Sequence, residues 1–174
     1  MRLAVALGVG VGVGVVMGAA AAQATVIAAW TLDEVVAHAD LIVTGTVGAS
    51  RGVRDAGRVL TETEIAVDQV LLGTWATPLV ISQPGGKDGD IVVDVAGTVR
   101  LTPGDRVLLI TALAKDRRRY IVGLSLGFYR LDGDRLSQQI EVQSAGPGGA
   151  LRPAVGPRTL GLDAVNDAIA RRRR

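Results

Sequence analysis

There is no cysteine among the 174 residues. Disulfides, thiolate metal sites and cysteine nucleophiles are therefore excluded, and so is a lipid anchor attached through cysteine. There is one histidine, His38. Hydrolytic triads and zinc sites draw mainly on histidine, so both are disfavoured, and no His-Glu-x-x-His motif or histidine pair occurs. Aromatic residues make up only 3 % of the chain: Trp30, Trp75, Tyr120, Phe128 and Tyr129. A core must then be built from Val, Leu, Ile and Ala. The stacking platforms of single-stranded nucleic-acid binding are also missing.

Excess charge is lacking as well. The formal charge is +2, from 19 basic and 17 acidic side chains. Four of the basic residues are Arg171 to Arg174 and a fifth is Arg2. Removing those five leaves 14 basic against 17 acidic residues. The high pI reports a tail, and nucleic acid, which needs a clustered basic face, is not an expected partner.

The N-terminus is an apolar run. Met1 to Ala24 has Arg2 as a minimal basic region and an uncharged stretch rich in Val, Gly and Ala. Small residues at Ala22 and Ala24 stand before Thr25. This is the layout of a cleaved secretory signal. The alternative is an uncleaved anchor, since Leu3 to Ala22 is about 20 residues, long enough to span a bilayer. Its five glycines and small-residue end favour the signal. The glycines alternating with Val from Gly8 to Gly14 follow no strand and make no phosphate loop.

Beyond Thr25 the chain alternates turn signals with β-branched runs. Thr31 and Glu34 have the spacing of a capping box, and Leu32, Val35, Val36 and Ala39 share one helical face. A short helix is predicted there. Asp40 to Val47 is predicted as strand one, with Gly45 marking a bulge or close backbone approach, as at a barrel bend. Gly48 to Arg58 is predicted as a polar loop. Strand two runs from Val59 to Leu72, with an acidic, wet face carrying Glu62, Glu64 and Asp68, and ends at Gly73. Pro78 to Ser82 and the weaker Ile91 to Val95 are further strands. Gln83 to Asp90 between them is turn chemistry throughout.

Pro103-Gly104-Asp105 is a tight turn that launches Arg106 to Leu113, a near-continuous apolar run and hence a buried strand. Arg117 to Arg119 falls in the following turn. Tyr120 to Leu131 is predicted as one strongly bent strand, from its alternation and from Gly123 and Gly127. Asp132-Gly133-Asp134 is a hairpin turn, and Arg135 to Val142 returns. Residues 144–158, rich in Gly and Pro, read as a linker. Thr159 to Ala170 reads as an amphipathic helix with Leu162, Val165, Ala168 and Ile169 on one face. The basic tail Arg171 to Arg174 suits that helix's dipole and reads as a solvated end, the alternative being contact with an anionic surface.

The expected architecture is mostly β: an OB-like small β-barrel, a short helix before strand one, and a C-terminal amphipathic helix. The expected division is 1–24 signal, 25–143 barrel, 144–158 linker, and 159–174 helix with basic tail. Ala39-Asp40-Leu41-Ile42-Val43-Thr44-Gly45-Thr46-Val47 resembles the opening strand of netrin-like domains, the OB-fold modules of tissue inhibitors of metalloproteinases. Val70-Leu71-Leu72-Gly73 and Gly104 to Ile110 are similar to later strands of that family. The strand order is also similar to that of uncharacterised secreted bacterial proteins. The resemblance spans about Leu32 to Leu131. It implies the fold alone, because the family's inhibitory mechanism requires an N-terminal cysteine.

For chemistry, His38 is expected as a surface or cap residue. The turns Asp88-Gly89-Asp90 and Asp132-Gly133-Asp134 are too short for a calcium loop. Glu62 and Glu64 have no visible partner acid for a glycosidase pair. No catalytic, cofactor or metal residue is therefore expected. The expected function is that of an exported, non-catalytic binding module for a protein or envelope component. A membrane-tethered structural protein and a carboxylate-dependent hydrolase are the alternatives.

Overall fold

The structure is a computed structural model that describes residues 30–75, 77–138, 143–145, 151–153 and 158–173. The expected signal segment and most of the expected linker lie outside them. Among the described residues, no helix is long and apolar enough to cross a membrane.

The capping box closes as its spacing predicts. Thr31 Oγ1 accepts from the Glu34 amide at 3.3 Å, and the Glu34 carboxylate accepts from the Thr31 amide at 2.6 Å. These contacts start helix α1 (Leu32–Ala37), which buries Val35 and Val36 and ends at His38.

Strands β1 (Leu41–Asp55) and β2 (Arg58–Leu72) form an antiparallel hairpin of 15 residues a side. The predicted loop from Gly48 is instead strand as far as Asp55. Only Ala56 and Gly57 turn, with φ of 47° and 79°, the left-handed pair that a two-residue hairpin turn requires. On β1 this outer half is little buried, and polar cross-strand pairs tie it to β2: Ser50 with Thr63 at 2.8 Å and Arg51 with Glu62 at 2.9 Å. At Gly45 the register shifts, and a Cβ there would lie 2.5 Å from the Ala66 carbonyl oxygen. The glycine admits the close approach predicted for it.

Strand β3 (Leu79–Pro84) pairs with β2. Within the predicted turn region lies β4 (Gly86–Asp88), which pairs with β5 (Ile91–Val93) as a separate two-stranded ribbon. The Pro103-Gly104-Asp105 turn latches onto β1: the Gly104 amide donates to the Val47 carbonyl at 2.8 Å, and the Val47 amide to the Asp105 carbonyl at 2.9 Å. Strand β6 (Arg106–Leu113) then pairs along β1.

The predicted bent strand Tyr120 to Leu131 is two strands. Strands β7 (Arg119–Ile121) and β8 (Phe128–Asp132) both pair with β6, and residues 122–127 make an excursion between them. Ile110 bridges the gap: its amide donates to Gly127 at 2.7 Å, and its carbonyl accepts from the Val122 amide at 3.0 Å. Within the excursion Leu124 takes φ 62°. The buried Gln138 amide holds it, donating to the carbonyls of Ser125, Leu126 and Phe128 at 2.8–3.1 Å.

Strand β9 (Arg135–Gln138) follows the second Asp-Gly-Asp turn. The predicted linker contains short paired strands, β10 (Gln143–Ala145) and β11 (Leu151–Pro153). The C-terminal helix does not begin at Thr159: β12 (Arg158–Gly161) pairs with β9 first, and helix α2 (Leu162–Arg172) follows.

The main sheet runs β12-β9-β8-β6-β1-β2-β3, with β7 also on β6. Strand β3 packs against β7, which bends the sheet round on itself. No ladder joins those two strands among the described residues. The fold is thus a curved, mostly β structure with two helices, and every strand pair among the described residues is antiparallel. Its inner face buries Leu41, Val43, Ile65, Ile81, Leu109 and Phe128. Its outer face buries Ile42, Leu108, Ile110 and Leu136 against Val36 of α1 and Val165 and Ile169 of α2.

Candidate functional site

Among the described residues, a concavity lies at the far end of the β1–β2 hairpin, away from the helices. The hairpin turn brings Gly57 and Arg58 to it, and β2 contributes Val59 and Leu60. The β3–β4 junction supplies Pro84 and Gly85, the stretch after β4 supplies Val93 and Val95, and the β6–β7 turn brings Ala114, Asp116 and Tyr120. The volume is about 490 Å³, within the range of small-ligand clefts. Most of the lining is apolar, and the polar groups stand at one end.

Those polar groups belong to a chain of ion pairs. Tyr120 Oη donates to Asp116 Oδ2 at 2.8 Å, and Arg58 stands 3.7 Å from the same oxygen. Arg58 also reaches Asp55 at 3.5 Å, and Asp55 accepts from Arg118 at 3.0 Å. Arg118 is in turn 3.5 Å from Glu62. The Tyr120 hydrogen bond, with the Arg118 amide and the nearby Arg118 and Arg58 charges, holds the Asp116 carboxyl below its ordinary value. Burial, reinforced by the Asp116 anion, raises the Tyr120 phenol. At neutral pH this end therefore presents a fixed carboxylate, a neutral phenol and a guanidinium. That set can orient a polar group. Among the described residues lining the groove there is no Ser, Thr, Cys, His or Lys to act as nucleophile or base.

The residues weighed from the sequence are scattered. His38 lies at the opposite end as the C-terminal cap of α1. Its ring stacks on Trp30 at 4.5 Å, and its Nδ1 is 2.8 Å from the Glu34 carbonyl. Glu62 pairs with Arg51 and Arg118, Asp68 stands 3.7 Å from Arg106, and Glu64 is exposed. Asp88 in the first Asp-Gly-Asp turn pairs with Arg54 at 2.9 Å. Among the described residues, no group of three or more His, Cys, Asp or Glu is placed to hold a metal ion.

One pattern that sequence reasoning missed is Gly48-Ala49-Ser50-Arg51-Gly52, which has the Gly-x-Ser-x-Gly spacing of a nucleophile elbow. An elbow needs a sharp strand-to-helix turn. Here the five residues lie within β1, and the Ser50 hydroxyl is occupied by Thr63.

The basic tail is only partly a solvated end. Arg171 pairs with Asp33 of α1 at 2.7 Å, and Arg172 donates to the carbonyls of Val36 and Ala39, closing the C-terminus of α1. The groove residues carry no motif, and nothing in the sequence signals that the loop before Arg58 and the turn around Arg117 lie side by side.

No protein-family model matches the chain, and no curated protein shows significant similarity to it.

Proposed function

We propose that this protein is an exported, non-catalytic binding module built on an OB-like barrel, and that the groove beneath the hairpin turn is its ligand site. The groove's composition carries the reading: an apolar channel ends in an Arg58–Asp116–Tyr120 set held by its own ion pair and hydrogen bond, with no Ser, Thr, Cys, His or Lys among the described residues on its walls. The strand order supports the barrel. Strands β1, β2 and β3 form a meander, β6 returns to β1, and β7 turns toward β3, in the manner of a five-stranded OB-fold. In that fold the loops after the first and fourth strands frame the ligand face. Their counterparts here are the Ala56-Gly57 turn and the Ala114 to Arg118 turn, both on the groove. The kinship with netrin-like domains is proposed on the same basis, as a kinship of scaffold.

The ligand is proposed to be a protein or envelope component met after export, once Met1 to Ala24 is removed. N-terminal sequencing of the exported protein tests the removal: a start at Thr25 is expected, and an intact Met1 favours a tethered structural protein instead. Capture from periplasm or medium tests the site. Ala114 is exposed on the groove wall, so Ala114→Trp fills the channel without entering the core. Capture is expected to fall with Ala114→Trp and to persist with Ala66→Trp, at an exposed position on β2. Equal capture by both overturns the site.

A further inference from the structure

The β4–β5 ribbon carries an anomaly for a surface strand. Ile91, Val92 and Val93 are 44 %, 71 % and 38 % exposed, three consecutive β-branched apolar residues in water. Edge strands are ordinarily blunted by charge, proline or cover. Strand β5 pairs with β4 on one side and has no ladder partner on the other among the described residues.

The ribbon's register says which groups that free side offers. Asp88 faces Ile91 across the two-residue turn Gly89-Asp90. The closing pair of such a hairpin is the hydrogen-bonded one. Alternation makes Lys87 opposite Val92 a non-hydrogen-bonded pair. The Val92 N–H and C=O therefore point away from β4, toward the free edge.

Charge then selects the occupant. The apolar triplet is bracketed by Asp90 and Asp94, both exposed. A second copy pairing antiparallel about Val92 would set Asp90 of one chain against Asp94 of the other at both ends. A parallel register sets Asp90 against Asp90. Like charges directly opposed across strands are destabilising. A strand with three apolar residues between two basic ones meets the same edge with both carboxylates paired.

We propose that the outer edge of β5 takes an extended peptide segment of the pattern basic, three apolar residues, basic, added as a new antiparallel strand through Val92. Val93 also lines the groove, so the added strand runs along the groove's rim. The inference rests on the reading of the chain as a binding module.

The test titrates the full chain with blocked heptapeptides, followed by backbone amide shifts. One has Lys-Val-Ile-Val-Lys at its centre, and a second has Glu in place of both Lys. The basic peptide is expected to move the amides of Ile91 to Val93 and to bind at least about tenfold more tightly than the acidic one. Val92→Pro removes the outward N–H while sparing the β4 ladder, and is expected to weaken binding about tenfold. Asp90→Lys with Asp94→Lys is expected to reverse the preference. The proposal is overturned by no binding, by equal binding of the two peptides, by unchanged affinity in Val92→Pro, or by self-association of the parent chain that Val92→Pro abolishes. If the peptides fail while Ala114→Trp still blocks capture, the edge falls and the groove stands. If the peptides bind as expected while Ala114→Trp captures normally, the groove falls and the edge stands.

Discussion

The inner face of the main sheet and the part of its outer face on β1, β6, β8 and β9 are both dry, but they are closed by different means. The inner face is closed by other strands, with Leu41, Val43, Leu109 and Phe128 meeting Ile65, Leu79 and Ile81 as the sheet bends round. The outer face is closed by two helices that lie at opposite ends of the sequence, α1 and α2. Strands β1 and β6 lie between the two cores, and each must be apolar at successive positions: Leu41-Ile42-Val43 and Val107 to Ile110 are all buried. Strand β2 is covered on one side only over its middle. It alternates accordingly, with Thr63 and Ile65 buried and Glu64 and Ala66 exposed. A fully apolar strand here reports two covers, and an alternating one reports a single cover.

The widest separation between the two faces should come from one charge placed in each. Val43→Asp puts a carboxylate among strands that are all needed to close the inner core. It is expected to cost several kcal/mol and unfold the whole domain, read as loss of the cooperative thermal transition. Val165→Asp charges the helix cover instead. It is expected to release α2 while β1 and β6 keep their protection from hydrogen exchange. If Val165→Asp melts the sheet as well, the two faces are one cooperative unit and the comparison fails.

A middling effect is expected where the faces meet the 122–127 excursion. Gln138→Ala removes a buried donor shared by the carbonyls of Ser125, Leu126 and Phe128, of which Ser125 keeps the Phe128 amide, at a cost of about 2 kcal/mol in urea unfolding. A variant that unfolds like the parent would mean that the excursion holds itself.

The smallest effect is at Asp40, between the end of α1 and the ends of β6 and β7. Partial burial alone would raise its carboxyl. The Arg119 hydrogen bond, the Leu113 amide at 2.8 Å and the charges of Arg119 and Arg172 outweigh burial and hold it below the ordinary value. A depressed folded pKa means that the stabilisation is complete above about pH 4 and fades as pH falls through the lower folded value. Asp40 is about half-exposed, so solvent screening keeps the contribution to roughly 0.5–1 kcal/mol. Asp40→Asn should therefore be less stable than the parent at pH 7, with the difference closing toward pH 2. A constant difference across that range would assign the effect to shape instead of charge.

Much of the frame was legible because the signals were local. The Thr31–Glu34 box, the close approach at Gly45, the Pro103-Gly104 turn and the apolar run of β6 each depend on a few neighbouring residues. The outer half of β1 was not legible, because a strand wet on both faces loses the alternation that marks a strand. Tyr120 to Leu131 misled for the opposite reason. Its alternation is real, but Val122 and Leu126 reach the outer core from a looped-out excursion while Phe128 enters the inner one. The groove was invisible because its walls come from four separated stretches, brought together only by the bending of the sheet. Arg171 and Arg172 read as a solvated end because their partners on α1 lie far away in sequence.

That last contact bears on the order in which the molecule can be completed. Arg172 closes α1, and Val165 and Ile169 cover the face that α1 covers beside them. In a chain made from its N-terminus α1 precedes α2, so the end of α1 is satisfied only once α2 docks. Until then Ile42, Leu108 and Ile110 lack the part of their cover that Val165 and Ile169 supply. The partly made fold therefore carries an incompletely covered apolar face, and the docking of α2 completes it.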